Sequence, residues 1–154
     1  MTTKKEIIDA LINKLQETLG STIEQSDMAS NAAIDAPGRN ESRYDSTKEE
    51  MGYLSNALSK KAYDIENIIK ELINFSLPKK TNTVVLGSLV EIYMNNSNQL
   101  IFLVPGGGGQ KIKIRDMSII TVSKNAPLYS ALIDRKKDQT FLFNGGSIVI
   151  KDIK

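Results

Sequence analysis

Two long stretches of the chain repeat their apolar residues at three- and four-residue steps, and the remainder shows short runs rich in β-branched residues. From Thr2 to about Ala33 the apolar positions are Ile7, Ile8, Leu11, Ile12, Leu15, Leu19 and Ile23, with no proline among them. That spacing predicts an amphipathic helix. A second stripe between about Tyr44 and Phe75, made of Met51, Leu54, Leu58, Ile65, Ile68, Ile69, Leu72 and Ile73, predicts another. Gly20 weakens the first by ~1 kcal/mol relative to alanine, which a long helix packed along a partner tolerates. Between the stripes lies Asp35-Ala36-Pro37-Gly38-Arg39-Asn40-Glu41-Ser42. Pro37 and Gly38 break the helix, and so short a polar connection turns the flanking helices antiparallel. The expected product over 1–76 is a helical coiled-coil hairpin with its tip at 35–43, about 45 Å long at ~1.5 Å per residue. The alternative is that both arms fold back on a compact bundle.

Leu77-Pro78-Lys79-Lys80-Thr81-Asn82 ends the helical period and reads as a linker over 77–82. Residues 83–154 then predict strands at Thr83 to Tyr93, Gln99 to Val104, Lys111 to Ile114, Met117 to Val122, Thr140 to Phe143 and Ser147 to Ile153. Asn95-Asn96-Ser97-Asn98 is the turn of the first strand pair. A short helix is expected at Pro127 to Ile133, with Asn125 as its cap and Pro127 in its first turn. The fold class is α+β, a hairpin of helices followed by a small, mostly antiparallel β-rich domain.

Composition narrows the chemistry. The chain has no Cys, His or Trp, so disulfides, Cys/His zinc sites, thiol nucleophiles and Ser-His-Asp triads are excluded. No apolar run approaches the ~20 residues that span a bilayer, and no signal core follows Met1, so a cytoplasmic protein is expected. Charge divides unevenly: residues 1–76 hold nine Lys/Arg against thirteen Asp/Glu, and residues 77–154 hold eleven against five. The first half should repel nucleic acid, and the basic second half could lie near it, DNA included.

Three local features invite chemistry. Pro105-Gly106-Gly107-Gly108-Gly109-Gln110-Lys111 is glycine-rich, but it lacks the GxxxxGK[ST] spacing and is followed by a strand, so it predicts a flexible strand connection. Arg135-Lys136-Lys137, flanked by Asp134 and Asp138, fits an exposed turn better than a phosphate site. The acids Asp35, Glu41, Asp45, Glu49 and Glu50 gather around the hairpin tip. There they serve as solvated helix-end charges or as hard-oxygen ligands completing a magnesium site held elsewhere.

The segment from Asn40 to Gly52 resembles the coiled-coil tip of the bacterial Gre transcript-cleavage factors, with Tyr44, Lys48 and Glu49 in register. Val85-Leu86-Gly87-Ser88-Leu89-Val90 is similar to the strand opening the Gre C-terminal domain, and Ile120 to Ile133 resembles its Ser-x-x-Ser-Pro-Leu segment. Order and spacing agree over nearly the whole chain. The resemblance implies a coiled coil that enters the secondary channel of RNA polymerase and an FKBP-like domain, without prolyl isomerase activity, that docks at the channel rim. In that family two acids at the tip place a magnesium ion at the polymerase active centre, so the hydrolysis of backtracked RNA belongs to the polymerase.

Alignment on Tyr44 puts Pro37 and Asn40 where those two acids stand. Asp35 and Glu41 are the nearby carboxylates, and any shared magnesium would be theirs. The resemblance thus implies a polymerase-facing tip of Asp35, Asn40, Glu41, Arg43, Tyr44 and Asp45, with no catalytic residue of the chain's own, no cofactor when free, no small-molecule substrate and no membrane partner. Asp134 and Asp138 stand where the family has glycines, a change that aspartate's tolerance of left-handed turns permits. Two mechanisms stay open, stimulation of transcript cleavage through Asp35 and Glu41, or occupancy of the channel without cleavage. A reading from another class also stands: a chaperone- or adaptor-type module that grips proteins with the same hairpin.

Overall fold

The computed structural model describes residues 2–35 and 42–154, the side chains of 33–47 lying outside that description. Each apolar stripe is a 32-residue helix, α1 at Lys4–Asp35 and α2 at Ser42–Ile73. Thr3 Oγ1 accepts the Glu6 N–H at 3.2 Å where α1 begins, satisfying one of the amide donors a helix start leaves unpaired. After α2 come β1 (Leu89–Met94), β2 (Ser97–Val104), β3 (Lys111–Ile114), β4 (Met117–Ser123), α3 (Pro127–Leu132), β5 (Thr140–Phe143) and β6 (Gly146–Ile153). The α+β architecture expected from the sequence, two long helices and then a mostly antiparallel sheet with one short helix, is the one observed.

By compactness the chain forms two units, Met1–Asn13 with Lys70–Lys154, and Lys14–Ile69. The division falls inside both long helices, because their first and last turns carry the fully buried Ile7, Leu11 and Leu72 and belong with the sheet. The six strands are ordered β3-β4-β2-β1-β6-β5. Every neighbouring pair is antiparallel except β2 and β4, which run parallel from Leu100 opposite Ile119 to Val104 opposite Ser123. On one face Val90, Ile92, Ile101, Leu103, Ile148 and Ile150 form the core with Leu132 of α3. Phe102 and Val104 alternate to the other face and are equally buried, so the middle of β2 is covered on both sides. Arg115 Nη2 stands 3.9 Å from Glu6 Oε2, linking the β3–β4 turn to the start of α1.

The turn between the first two strands is shorter than expected, Asn95-Asn96, because Ser97 and Asn98 already belong to β2, and two further departures have local causes. The first strand begins at Leu89, not Thr83. Gly87 has φ +92°, and a Cβ there would fall 2.4 Å from the Pro78 ring, so a left-handed turn closed by Ser88 N–H donating to the Val85 carbonyl at 3.0 Å replaces strand geometry. At α3 the cap position is Ala126, with no side-chain cap, while Pro127 opens the helix as expected. Asp134 and Asp138 both take positive φ, 65° and 69°, the conformation that glycine would otherwise supply.

The glycine-rich segment joins β2 to β3 but is pinned rather than flexible. Gly109 N–H donates to the Thr121 carbonyl at 2.7 Å, and Gln110 N–H donates to Thr121 Oγ1 at 3.0 Å, while that hydroxyl donates to the Gly107 carbonyl at 2.8 Å. A Cβ on Gly108 would meet Ser123 N at 2.6 Å, so glycine is needed there for close approach. The Gly109 and Gln110 amides are thus committed to β4.

Candidate functional site

The candidate site lies in the helical unit 14–69, whose seam follows a heptad. On α2, Met51, Ser55, Leu58, Ala62, Ile65 and Ile69 recur at steps of four and three, the period that keeps one narrow line of residues against a partner helix. On α1 the corresponding buried line is Leu15, Thr22, Ser26 and Ala29. Side chains shrink along that line, from leucine to threonine, serine and alanine. Where they are smallest the helices are tied by hydroxyls: Ser26 Oγ donates to the Ser55 carbonyl at 3.2 Å and lies 2.9 Å from Ser59 Oγ, and Ser55 Oγ donates to the Ser26 carbonyl at 3.3 Å. Small residues let backbones approach, and the hydroxyls satisfy one another without burying much apolar area.

A heptad seam is narrower than the broad stripe the sequence suggested. Ile23 and Leu54 are 42% and 46% exposed, because residues beside an a/d line flank the contact instead of entering it. Met28, Ala29, Ala32, Met51, Leu54 and Leu58, with Gln25, line a shallow apolar groove of 330 Å³ beside the serine cluster. Met28 is 65% exposed there. Neither the serine cluster nor the groove was foreseen; the signal was small polar residues standing at core heptad positions.

Of the expected tip, Asn40 and Glu41 lie outside the described residues, as do the side chains of Asp35, Arg43, Tyr44 and Asp45. The backbone of Asp35 is the last residue of α1, and Arg43, Tyr44 and Asp45 belong to the first turn of α2. The two remaining members of the tip motif, Lys48 and Glu49, are exposed on the same helix. Tyr53 Oη donates to Glu49 Oε1 at 3.2 Å, so that carboxylate is held by a neighbour one turn on. Among the described residues no group of three acidic, His or Cys side chains is arranged to hold a metal, and no helix is long and apolar enough to cross a membrane.

No family model and no curated protein matches the chain. Among solved structures it is similar to the GreA factor homolog 1 (Gfh1) protein of Thermus thermophilus, at 17% identity and a TM-score of 0.37, over 94% of this chain and 95% of that one. It is similar also to Gfh1 of Thermus aquaticus, at 17% identity and a TM-score of 0.37, over 94% of each chain. A further structure, of the transcription factor Gfh1, is 15% identical with a TM-score of 0.38. Likeness at that level leaves the fold to be argued from the chain's own helices and strands, and the function from its residues.

Proposed function

We propose that this chain is an RNA polymerase-binding elongation factor of Gre-like form, which inserts the end of its helical hairpin into the secondary channel and has no active site of its own. One observation carries the reading. Two helices of equal length flank the segment 36–41, and the Gre-like residues Tyr44, Lys48 and Glu49 occupy the opening turns of the second, where a tip motif must stand to be presented at the end of a hairpin. The β-rich unit then supplies docking affinity. Phosphodiester chemistry would belong to the polymerase, and Asp35 and Glu41 are the residues that would meet a shared magnesium ion, which would polarise a water for hydrolysis.

The test is co-purification with core polymerase. Binding at micromolar concentration is expected, with the effect on transcription altered when residues 35–45 are exchanged for a glycine-serine segment; no binding at that concentration, or transcription unaltered by the exchange, overturns the proposal. A stalled-complex cleavage assay then separates the two mechanisms. Cleavage that disappears in Asp35→Ala or Glu41→Ala assigns the chain to cleavage stimulation, and its absence from the unaltered protein assigns it to channel occupancy. The groove beside Met28 and Leu54 favours a second reading, a protein-binding module of chaperone or adaptor type. Binding of unfolded client proteins without binding of polymerase would select it.

A further inference from the structure

The sequence presents Lys79-Lys80 as part of a linker and Arg135-Lys136-Lys137 as a distant turn, and the fold joins them. Thr83 forms an antiparallel bridge with Lys136. Val84 N–H donates to the Arg135 carbonyl at 2.8 Å, and Asp134 N–H donates to the Val84 carbonyl at 2.8 Å. This clamp places Lys80 with Lys136 and Lys137 around an open cleft of 380 Å³, lined also by Thr81, Asn82, Asp152 and Ile153. All three lysines are exposed, and among the described residues none of them is in an ion pair.

Arg135 plays a different part. Its Nε donates to the Ala131 carbonyl at 3.1 Å and its guanidinium lies 4.1 Å from the centre of the Phe141 ring, so it holds the turn to α3 and β5. The turn is further fixed by Lys136 N–H donating to Gln139 Oε1 at 2.8 Å and Asp138 N–H donating to the Ile150 carbonyl at 2.8 Å. Lys136 and Lys137 are therefore presented from a rigid backbone. Three lysines around one cleft against the single carboxylate of Asp152 leave a net positive surface, whose self-repulsion an anion would relieve.

We propose that Lys80, Lys136 and Lys137, with Asn82, form a site for the phosphodiester backbone of nucleic acid. The chemistry selects that ligand. Lysines act as point charges toward phosphate, and an asparagine side chain hydrogen-bonds phosphate oxygens without reading bases, while the Thr81 hydroxyl donates to the Thr83 carbonyl at 2.6 Å and helps fix the wall of the cleft. Planar recognition of protein carboxylates is an arginine task, and the one arginine of the turn is engaged internally. An open cleft walled by exposed ammonium groups suits an extended polymer better than a caged single anion. The surplus of eleven Lys/Arg over five Asp/Glu in residues 77–154 provides the attracting field.

Fluorescence anisotropy of the full chain, without polymerase, with labelled single-stranded DNA, single-stranded RNA and duplex DNA tests this at about 50 mM salt. Binding to at least one polymer is expected, with the logarithm of affinity falling against the logarithm of salt at a slope of roughly −2 to −3 for three phosphate contacts. The three arms identify which nucleic acid is preferred. Replacing Lys80, Lys136 and Lys137 by alanine should weaken binding tenfold or more and flatten the slope, each single replacement removing about one unit of it. The control Lys60→Ala with Lys61→Ala, two exposed cations of the helical unit, should change neither. Absence of binding to all three polymers, equal weakening by the control, or displacement by polyglutamate more readily than by unlabelled nucleic acid would each overturn the assignment, the last in favour of an acidic protein partner. Because polymerase is absent, either result leaves the co-purification test of the proposed function independent.

Discussion

The sheet unit and the helical unit of this chain are held together by different means. In the sheet unit β2 is buried on both faces from Ile101 to Val104, and large side chains such as Phe102, Ile148 and Ile150 have essentially no exposed surface. In the helical unit the buried positions among the described residues are few and mostly small, Thr22, Ser26, Ala29 and Ala62 with Leu15, Ile65 and Ile69, and hydroxyl contacts join the helices where leucines would otherwise stand. Burial contributes about 25 cal/mol per Å² of apolar surface, so the sheet rests on area and the hairpin on periodicity and hydrogen bonds. A structure of the second kind opens at lower free energy.

The comparison breaks most easily in the core of the sheet. Phe102→Ala should cost about 3–5 kcal/mol by lost transfer energy and the cavity left behind, a large share of the ~5–15 kcal/mol that holds a domain folded. Thr22→Ala in the hairpin should cost about 1 kcal/mol or less, because its hydroxyl donates only to the Thr18 carbonyl of its own helix, at 2.7 Å, and alanine is the better helix former. Urea unfolding followed by amide exchange in each unit measures both. Comparable losses from the two changes would refute the contrast.

The same contrast explains what the sequence could show. Helices α1 and α2 were legible because period 3.6 is written in local spacing, but the width of the buried stripe was not. Leu54 and Ile23 share the stripe on paper, and only the partner helix decides that the contact is a narrow heptad. In the sheet, Thr83 to Ser88 has strand composition, yet the approach of Pro78 to Gly87 turns the chain there, and Pro78 lies outside that segment. The parallel pairing of β2 with β4 leaves no mark in either strand. The resemblance at Tyr44, Lys48 and Glu49 is a matter of local sequence, whereas the cluster of Lys80 with Lys136 and Lys137 depends on the Thr83 bridge, a contact between segments far apart in sequence.

Two glycines sharpen the account of the hairpin. Gly20 and Gly52 sit within α1 and α2, and a Cβ added at either would meet nothing within 4 Å. No close approach requires them, so each weakens its helix only through backbone freedom. Gly20→Ala and Gly52→Ala should each stabilise the helical unit by about 0.5–1 kcal/mol, visible as slower amide exchange in residues 14–69 with the sheet amides unchanged. A loss of protection in either variant would show that hairpin stability is not governed by local helix propensity. Under the proposed function, weaker polymerase binding by the double variant would make looseness of the arm part of that binding.

The smallest effect is confined to the sheet unit and to alkaline solution. Tyr129 of α3 is half-buried against the core, and its phenol is raised above the usual value of 10.0 by burial first and by the negative charge of Asp134 second. The folded state therefore keeps the proton to higher pH than the unfolded chain does. Its contribution is fully present below about pH 10 and is lost as pH rises through the raised folded value, because the unfolded chain then gains by releasing the proton first. Tyr129→Phe removes this linkage, so the stability difference between variant and parent should be independent of pH near neutrality and should shift in favour of the variant above about pH 10. Asp134→Asn, which keeps a residue tolerant of the positive φ at that turn, should give a partial shift of the same sign. Urea midpoints of the three proteins at neutral pH and above about pH 10 measure it. A Tyr129→Phe difference that stays constant across that range would mean that the environment of α3 does not distinguish the phenol from its anion.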